Sequence, residues 1–177
     1  MNQRDHSGNC ASADTLNLDT KRLRLVAQTR ESARAQLEKI SPTERAEVSS
    51  AWLALLENSS AIDPWIHGFI LRQREGDIFV GQCGFKGPPT PEGSVEIAYG
   101  IAAEYQGKGY ATEAAEALVI FAFADPNVRV VLAHTLPEAN ASTRVLTKCG
   151  FQFTGEVIDP EDGRVWRWER KRVKATT

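Results

Sequence analysis

The chain has 177 residues, 42% of them hydrophobic, enough for one sizeable core and too little for two. Twenty-one Lys and Arg oppose twenty-three Asp and Glu, a formal net charge of -2, which is not the basic footprint of a nucleic-acid binder. No run approaches the roughly 18 continuous apolar residues that a membrane span needs, and MNQRDHSGNCASADT at the N-terminus has no apolar stretch of the kind a secretory signal carries.

Cys10, Cys83 and Cys149 are an odd number at wide spacing, and His6, His67 and His134 are equally scattered. Neither set forms a disulfide framework or a metal pattern, so no metal is expected. The class implied is a soluble, cytoplasmic, reduced protein with no membrane or nucleic-acid partner.

In chain order, residues 1–15 are polar and rich in small side chains and are expected to form a flexible tail, followed by one domain over 16–174. TKRLRLVA (20–27) alternates Leu23 and Leu25 with Arg22 and Arg24, as a half-buried strand does. Residues 30–39 read as a helix. Ser41-Pro42 opens another that runs to about 59 and places Trp52, Leu55 and Leu56 on one face. After a break at Ile62-Asp63-Pro64, WIHGFILRQR (65–74) and DIFVGQCGFK (77–86) read as two strands joined by a turn, and GPPTPEG (87–93) as a loop. SVEIAYGI (94–101) is a fourth strand, 111–124 a helix, and VRVVLAHT (128–135) a fifth strand. A short helix over about 142–148 stops at Gly150, and FQFTGEV and RVWRWER close a hairpin around Pro160-Glu161-Asp162-Gly163. This order implies an α/β fold, a single layered domain with a mixed central sheet flanked by helices.

The fourth strand divides its labour. Val95, Ile97, Tyr99 and Ile101 share one face; Glu96, Ala98 and Gly100 share the other. A face lined by Ala and Gly leaves room beside the sheet, and Glu96 looks into that room. Next comes Gln106-Gly107-Lys108-Gly109-Tyr110-Ala111, leading into the helix. The first turn of a helix offers free backbone N–H groups and the positive end of its dipole. Glycines just ahead of it let the backbone wrap an anion, so a phosphate or pyrophosphate is the expected guest, a bare strand-to-helix turn being the alternative. Tyr110 after Gly109 breaks the P-loop pattern, and Thr112 stands where a G-x-G-x-x-G needs its third glycine.

What does match is Gln-x-x-Gly-x-Ala, given by Gln106, Gly109 and Ala111 after a strand ending in Tyr99-Gly100-Ile101. This resembles the acyl-CoA pyrophosphate loop of the Gcn5-related N-acetyltransferase (GNAT) superfamily. Downstream, NASTRVLTKCGF (140–151) resembles that superfamily's second signature. The likeness covers roughly residues 20–172, and VEIAYGIAAEYQGKGYATEA is most similar to the Rim-type branch, whose members acetylate N-termini of ribosomal proteins. It implies a GNAT-like acyl-CoA N-acyltransferase fold with a mostly antiparallel sheet.

By that resemblance, acetyl-CoA is the co-substrate. Backbone N–H groups of Gln106, Gly107, Lys108, Gly109, Tyr110 and Ala111 hold its pyrophosphate, with the Thr112 hydroxyl at the helix start. Lys108 either reaches a phosphate or is solvated. The pantetheine arm runs beside the end of the fourth strand, where the backbone of Gly100 and Ile101 pairs with it and polarises the thioester carbonyl. The acceptor is an amine, on a protein N-terminus or a small molecule, and Glu96 is the general base, its pKa expected to rise on burial. The alternative for Glu96 is an ion pair with a basic residue on a neighbouring strand.

Many members place a Tyr two residues before the motif's Lys to protonate the departing thiolate, but here Leu146 stands there. The resemblance to the Rim-type branch, which uses a Ser at the start of this helix, makes Ser142 the donor and has Asn140 contact the pantetheine or acyl region; the alternative is that Asn140 or Ser142 simply caps the helix. Cys149 is expected to be a small buried residue rather than a nucleophile. Trp166 and Trp168 share a face and belong to the core, while Trp52 and Trp65 lie in the region that shapes the acceptor pocket. A homodimer stays open. The competing function is a non-catalytic acyl-CoA-binding or sensing domain.

Overall fold

Alternating strands and amphipathic helices sort into one eight-stranded sheet, with order β1-β2-β3-β4-β5-β6-β8-β7. The computed structural model describes residues 16–46 and 48–173, the side chain of residue 44 excepted. The tail expected over 1–15 and the last residue of the expected domain, 174, lie outside the described residues. The strands are β1 (Asn17–Asp19), β2 (Leu23–Ala27), β3 (Phe69–Gln73), β4 (Phe79–Phe85), β5 (Ser94–Ile101), β6 (Val130–Thr135), β7 (Gln152–Asp159) and β8 (Gly163–Lys171). The helices are α1 (Arg30–Lys39), α2 (Pro42–Ala46), α3 (Ser50–Asn58), α4 (Pro64–His67), α5 (Tyr110–Ala124) and α6 (Ala141–Lys148). Every neighbouring pair is antiparallel except β5 and β6, whose parallel pairing needs the crossover that α5 supplies.

The core lies between the sheet and α5. Leu23, Leu25, Phe69, Leu71, Val80 and Val131 meet Ala114, Ala115, Leu118 and Ala122 there, all wholly or almost wholly buried. Trp65 stacks on Phe85 and Phe121, with ring centroids 4.6 and 5.1 Å away, so it is a core residue and not part of an acceptor wall. Trp168 is buried, and Phe153 packs against both Trp168 and Trp166, as their shared face implies.

Three elements differ from the sequence reading. The stretch expected as one strand over 65–74 begins instead with α4. Asp63 caps it, its carboxylate accepting the Trp65 N–H at 3.0 Å, and Pro64 occupies the first turn, where a missing N–H costs nothing. The Asp-Pro pair that ends one helix thus starts another. The long helix expected from Pro42 to about 59 is two, because Ser49 accepts the Trp52 N–H at 3.3 Å and begins α3 afresh. The short edge strand β1 was not anticipated; three residues are too few for a readable alternation. Among the described residues no helix is long and apolar enough to cross a membrane.

His67, at the end of α4, is buried and ties three segments together. Its Nδ1 accepts the Asp63 N–H at 3.1 Å, and its Nε2 lies 2.7 Å from the Ser59 hydroxyl, which itself donates to the Leu56 carbonyl. Burial holds its pKa below the ordinary histidine value. The unfolded chain therefore binds the proton more readily than the folded one. Stability is complete above about pH 6.5, the ordinary histidine value, and is lost as the pH falls below it. Calorimetric melting between pH 7.5 and 5 is expected to show the thermal midpoint falling in that window. The fall should be smaller in His67→Gln; an equal slope in the variant would remove His67 from this account.

Candidate active site

The join between β5 and β6 shapes the site. Their register pairs Ser94 with Val130, Val95 with Val131 and Glu96 with Leu132, and stops there. β5 nevertheless continues to Ile101, paired on its other side with β4 as far as Gly81↔Ile101. β6 continues to Thr135, paired with β8 as far as Thr135↔Trp166. The two strands part after Glu96, and the edge of β5 from Ile97 to Ile101 faces the gap with backbone groups that β6 does not take. An extended ligand can add there as a strand does.

At the open end of β5 the chain makes a short 3-10 turn (Ala103–Tyr105) and then the glycine loop. Gln106 Nε2 donates to the Ile101 carbonyl at 2.9 Å, so this side chain braces the loop against the strand end. Gly107 and Gly109 have φ of 73° and 83°, the left-handed region in which a Cβ is strained. Residues 106–109 are exposed, and Gly109 is the N-cap of α5 with no side-chain capping bond, which leaves the first-turn N–H groups of Tyr110, Ala111 and Thr112 to an outside acceptor. Fifteen residues of α5 align their dipoles toward this loop. An anion fits this cradle without side-chain interference.

The loop is held from behind by residues that no motif marked. Arg22 donates through Nε to Glu113 at 2.8 Å and through a guanidinium N–H to the Lys108 carbonyl at 2.8 Å, and it lies over the Tyr110 ring. Glu113 also accepts the Arg22 backbone N–H at 2.6 Å and the Thr20 hydroxyl at 2.5 Å. Burial works against its charge, but the Thr20 and Arg22 hydrogen bonds outweigh that and hold its carboxyl below the usual range. Lys108 lies over the Tyr105 ring, 5.1 Å from its centre.

Within the fork, a cavity of about 300 Å³ brings Glu96, Ala98, Tyr99, His134 and Ser142 together with Lys86 and Asp162. Glu96 has charged neighbours in this cavity. Its Oε1 receives Lys86 Nζ at 2.9 Å and His134 Nδ1 at 3.0 Å, so the ion pair weighed as the alternative is present. Lys86 also reaches Asp162, at the tip of the β7–β8 hairpin, at 3.1 Å. Burial disfavours the Lys86 ammonium, yet its bonds to Glu96 and Asp162 prevail and raise its pKa. With Nδ1 donating to Glu96, the neutral His134 ring carries its lone pair on Nε2, which is buried and without a partner among the described residues.

Tyr99 and Ser142 share a hydrogen bond, and burial of the phenol pushes its pKa up to about 12. The Tyr99 hydroxyl therefore stays protonated at neutral pH and can donate. Asn140 caps α6, its Oδ1 accepting the Thr143 N–H at 3.0 Å while Thr143 Oγ1 accepts the Asn140 N–H at 3.1 Å. Leu146, standing where many relatives have a tyrosine, is fully buried in the core, so a hydroxyl from that position has no counterpart here. Cys149 is buried, its thiol pKa pushed up to about 11, and Sγ lies 3.5 Å from the Thr112 carbonyl; such a thiol is a poor nucleophile.

Sequence reasoning singled out Glu96, the glycine loop and Ser142. It missed Lys86, His134, Tyr99 and Arg22. The one available signal was the placement of Tyr99 on the same strand as Glu96; the others are brought in by pairings across 10 to 91 residues.

The family model described as acetyltransferase (GNAT) domain matches residues 15–152. An uncharacterized N-acetyltransferase, p20, from Bacillus licheniformis is 29% identical over 107 residues, 60% of each chain. The chain spans about half to three fifths of the length of the curated relatives it matches. A ribosomal-protein-S5-alanine acetyltransferase from Vibrio fischeri superposes with a TM-score of 0.64 at 16% identity, covering 92% of this chain and 100% of that one. A RimL ribosomal L7/L12 alpha-N-protein acetyltransferase solved with coenzyme A does so with a TM-score of 0.65 at 15% identity, over 88% and 98%. At these identities the structures share the fold, with the same mostly antiparallel sheet and flanking helices. With a family match across most of its length and that fold, the chain belongs to the GNAT acetyltransferase family.

Proposed function

We propose that the protein is an acetyl-CoA-dependent N-acetyltransferase that moves the acetyl group directly to a primary amine. The observation that carries this reading is the fork itself: the open edge of β5 runs from Glu96 to the anion cradle at Gly107 and Gly109. Backbone N–H groups of residues 106–111 and the Thr112 hydroxyl would hold the pyrophosphate, and the edge of β5 near Gly100 and Ile101 would pair with the pantetheine arm. Asn140, besides capping α6, would face the acyl end. Bound there, acetyl-CoA supplies the activated thioester carbonyl.

The remaining work belongs to the chain. A backbone N–H at the end of β5 polarises the carbonyl oxygen. Glu96 takes a proton from the incoming ammonium, directly or through a water, using Oε2, while Lys86 and His134 fix Oε1. Ser142 donates to the departing sulfur, with the Tyr99 hydroxyl behind it. Lys86 keeps Glu96 oriented at the fork and competes with the amine for it, a balance set by Asp162. The acceptor is a protein N-terminus or a small amine, the former suggested by what the names of the Rim-type fold neighbours say of those proteins. An acyl-CoA-binding domain without turnover is the second reading, favoured by Leu146 in the tyrosine position.

Calorimetric titration of acetyl-CoA tests the cradle. Wild type is expected to bind and Gly109→Trp to bind at least about 100-fold more weakly, since the indole fills the loop. No binding to wild type would mean that the glycines only turn a corner. Turnover separates the enzyme from the sensor. Glu96→Gln and Ser142→Ala are expected to lower kcat by about 100-fold and about 10-fold, with acetyl-CoA affinity unchanged. Coenzyme binding without amine-stimulated thiol release, measured with a thiol reagent across peptides and small amines, would decide for the sensor.

A further inference from the structure

A trough runs along the small-sided face of β4 and β5. Its middle section, about 520 Å³, has Gly84, Ala98 and Gly100 as its floor and Gln36, Leu37 and Trp52 as its roof. Ala98 and Tyr99 are shared with the cavity that holds Glu96, so the inner end lies next to the proposed base. Gln36, Ile40, Gln82 and Gly100 are shared with an outer hollow whose rim carries Lys39 and Arg72.

We infer that this trough seats an acceptor with a single amine on an uncharged, partly apolar body and turns polycations away. The inference rests on the acetyltransferase reading above and names the substrate class for it. Among the described residues that line the middle section, none is Asp, Glu, Lys or Arg. Several of its polar groups are already engaged with one another. Gln36 donates to Gln28 at 2.7 Å, Gln28 donates to the His67 carbonyl at 3.0 Å, and Trp52 Nε1 donates to the Ile66 carbonyl at 2.9 Å. The walls therefore present ring and methylene surface to whatever lies between them.

One ammonium at the inner end meets Glu96, which already shares its charge with Lys86. A second ammonium further out loses its hydration where no described carboxylate replaces it. At the rim the charge it meets is that of Lys39, the Arg72 guanidinium being paired with Asp77. Arg72 holds Asp77, through its carbonyl at 2.8 Å and its carboxylate at 3.3 Å, and Lys39 adds an exposed cation. A polyamine or an aminoglycoside is penalised at both places; a monoamine with an apolar body is penalised at neither.

The test uses the full chain with and without coenzyme A, and 2-phenylethylamine and spermidine as probes. The Trp52 indole N–H resonance, assigned by its loss in Trp52→Phe, is expected to shift with 2-phenylethylamine and to stay in place with spermidine. In turnover, kcat/KM for 2-phenylethylamine and for the dipeptide Ala-Phe amide is expected to exceed that for spermidine and kanamycin by at least about 100-fold. Gln36→Glu, or Gln82→Glu if the first variant melts early, should narrow that gap about 10-fold by adding a carboxylate to the trough. Preference for spermidine or kanamycin, or a Trp52 signal indifferent to both probes, overturns the inference. If acetyl-CoA does not bind, the acetyltransferase reading fails, while the Trp52 shift without coenzyme still decides what the trough accepts.

Discussion

The sheet is held together across its middle by three residue pairs, Ser94–Val130, Val95–Val131 and Glu96–Leu132. On one side of that join lie five strands, on the other three, each half with an antiparallel ladder of its own. Twisted sheets that share so short a seam diverge beyond it, because each strand follows its fully paired neighbour. The fork supplies the open edge of β5, sets Glu96 at its apex, and aims the end of β5 at the turn that begins α5. Pairing the two strands on as far as Ile101 would bury the edge and leave the glycine loop beside a continuous sheet.

Charges near the fork are arranged in closed groups. Glu96, Lys86, His134 and Asp162 connect β5, the end of β4, β6 and the distant hairpin tip. Behind the glycine loop, Arg22 and Glu113 tie the β1–β2 turn to the first turn of α5. Each group leaves something over. In the first it is His134 Nε2, without a partner among the described residues; in the second it is the row of backbone N–H groups at Gly109. Satisfying the side chains among themselves keeps these features from being taken up by their neighbours, and it fixes them on a rigid frame. The trough along β4 and β5 differs from both, since Gln36 closes on Gln28 and Gln28 on the His67 carbonyl.

Much of this was legible in the chain. Local rules suffice where a residue's role depends on its neighbours in sequence. The glycines with positive φ, the helix start after them, the two-faced β5 and the closing hairpin all follow from spacing and residue type. The family likeness rests on the same short stretches. The errors were local as well: Asp63-Pro64 was read as a stop and is also a start, and Ser49 was passed over as a cap within a helix expected to be continuous.

The sequence by itself determined that there is one α/β domain, that a glycine loop precedes α5, and that a carboxylate stands on the small-sided face of β5. Only the tertiary structure decided what surrounds that carboxylate. Lys86 and His134 lie 10 and 38 residues from Glu96, and nothing in their own segments marks them as its partners. The place where β5 and β6 part is likewise set by each strand's pairing with its other neighbour, β4 in one case and β8 in the other. A residue's chemistry follows from its type, but its partners follow from strand register, and register is a property of the whole sheet.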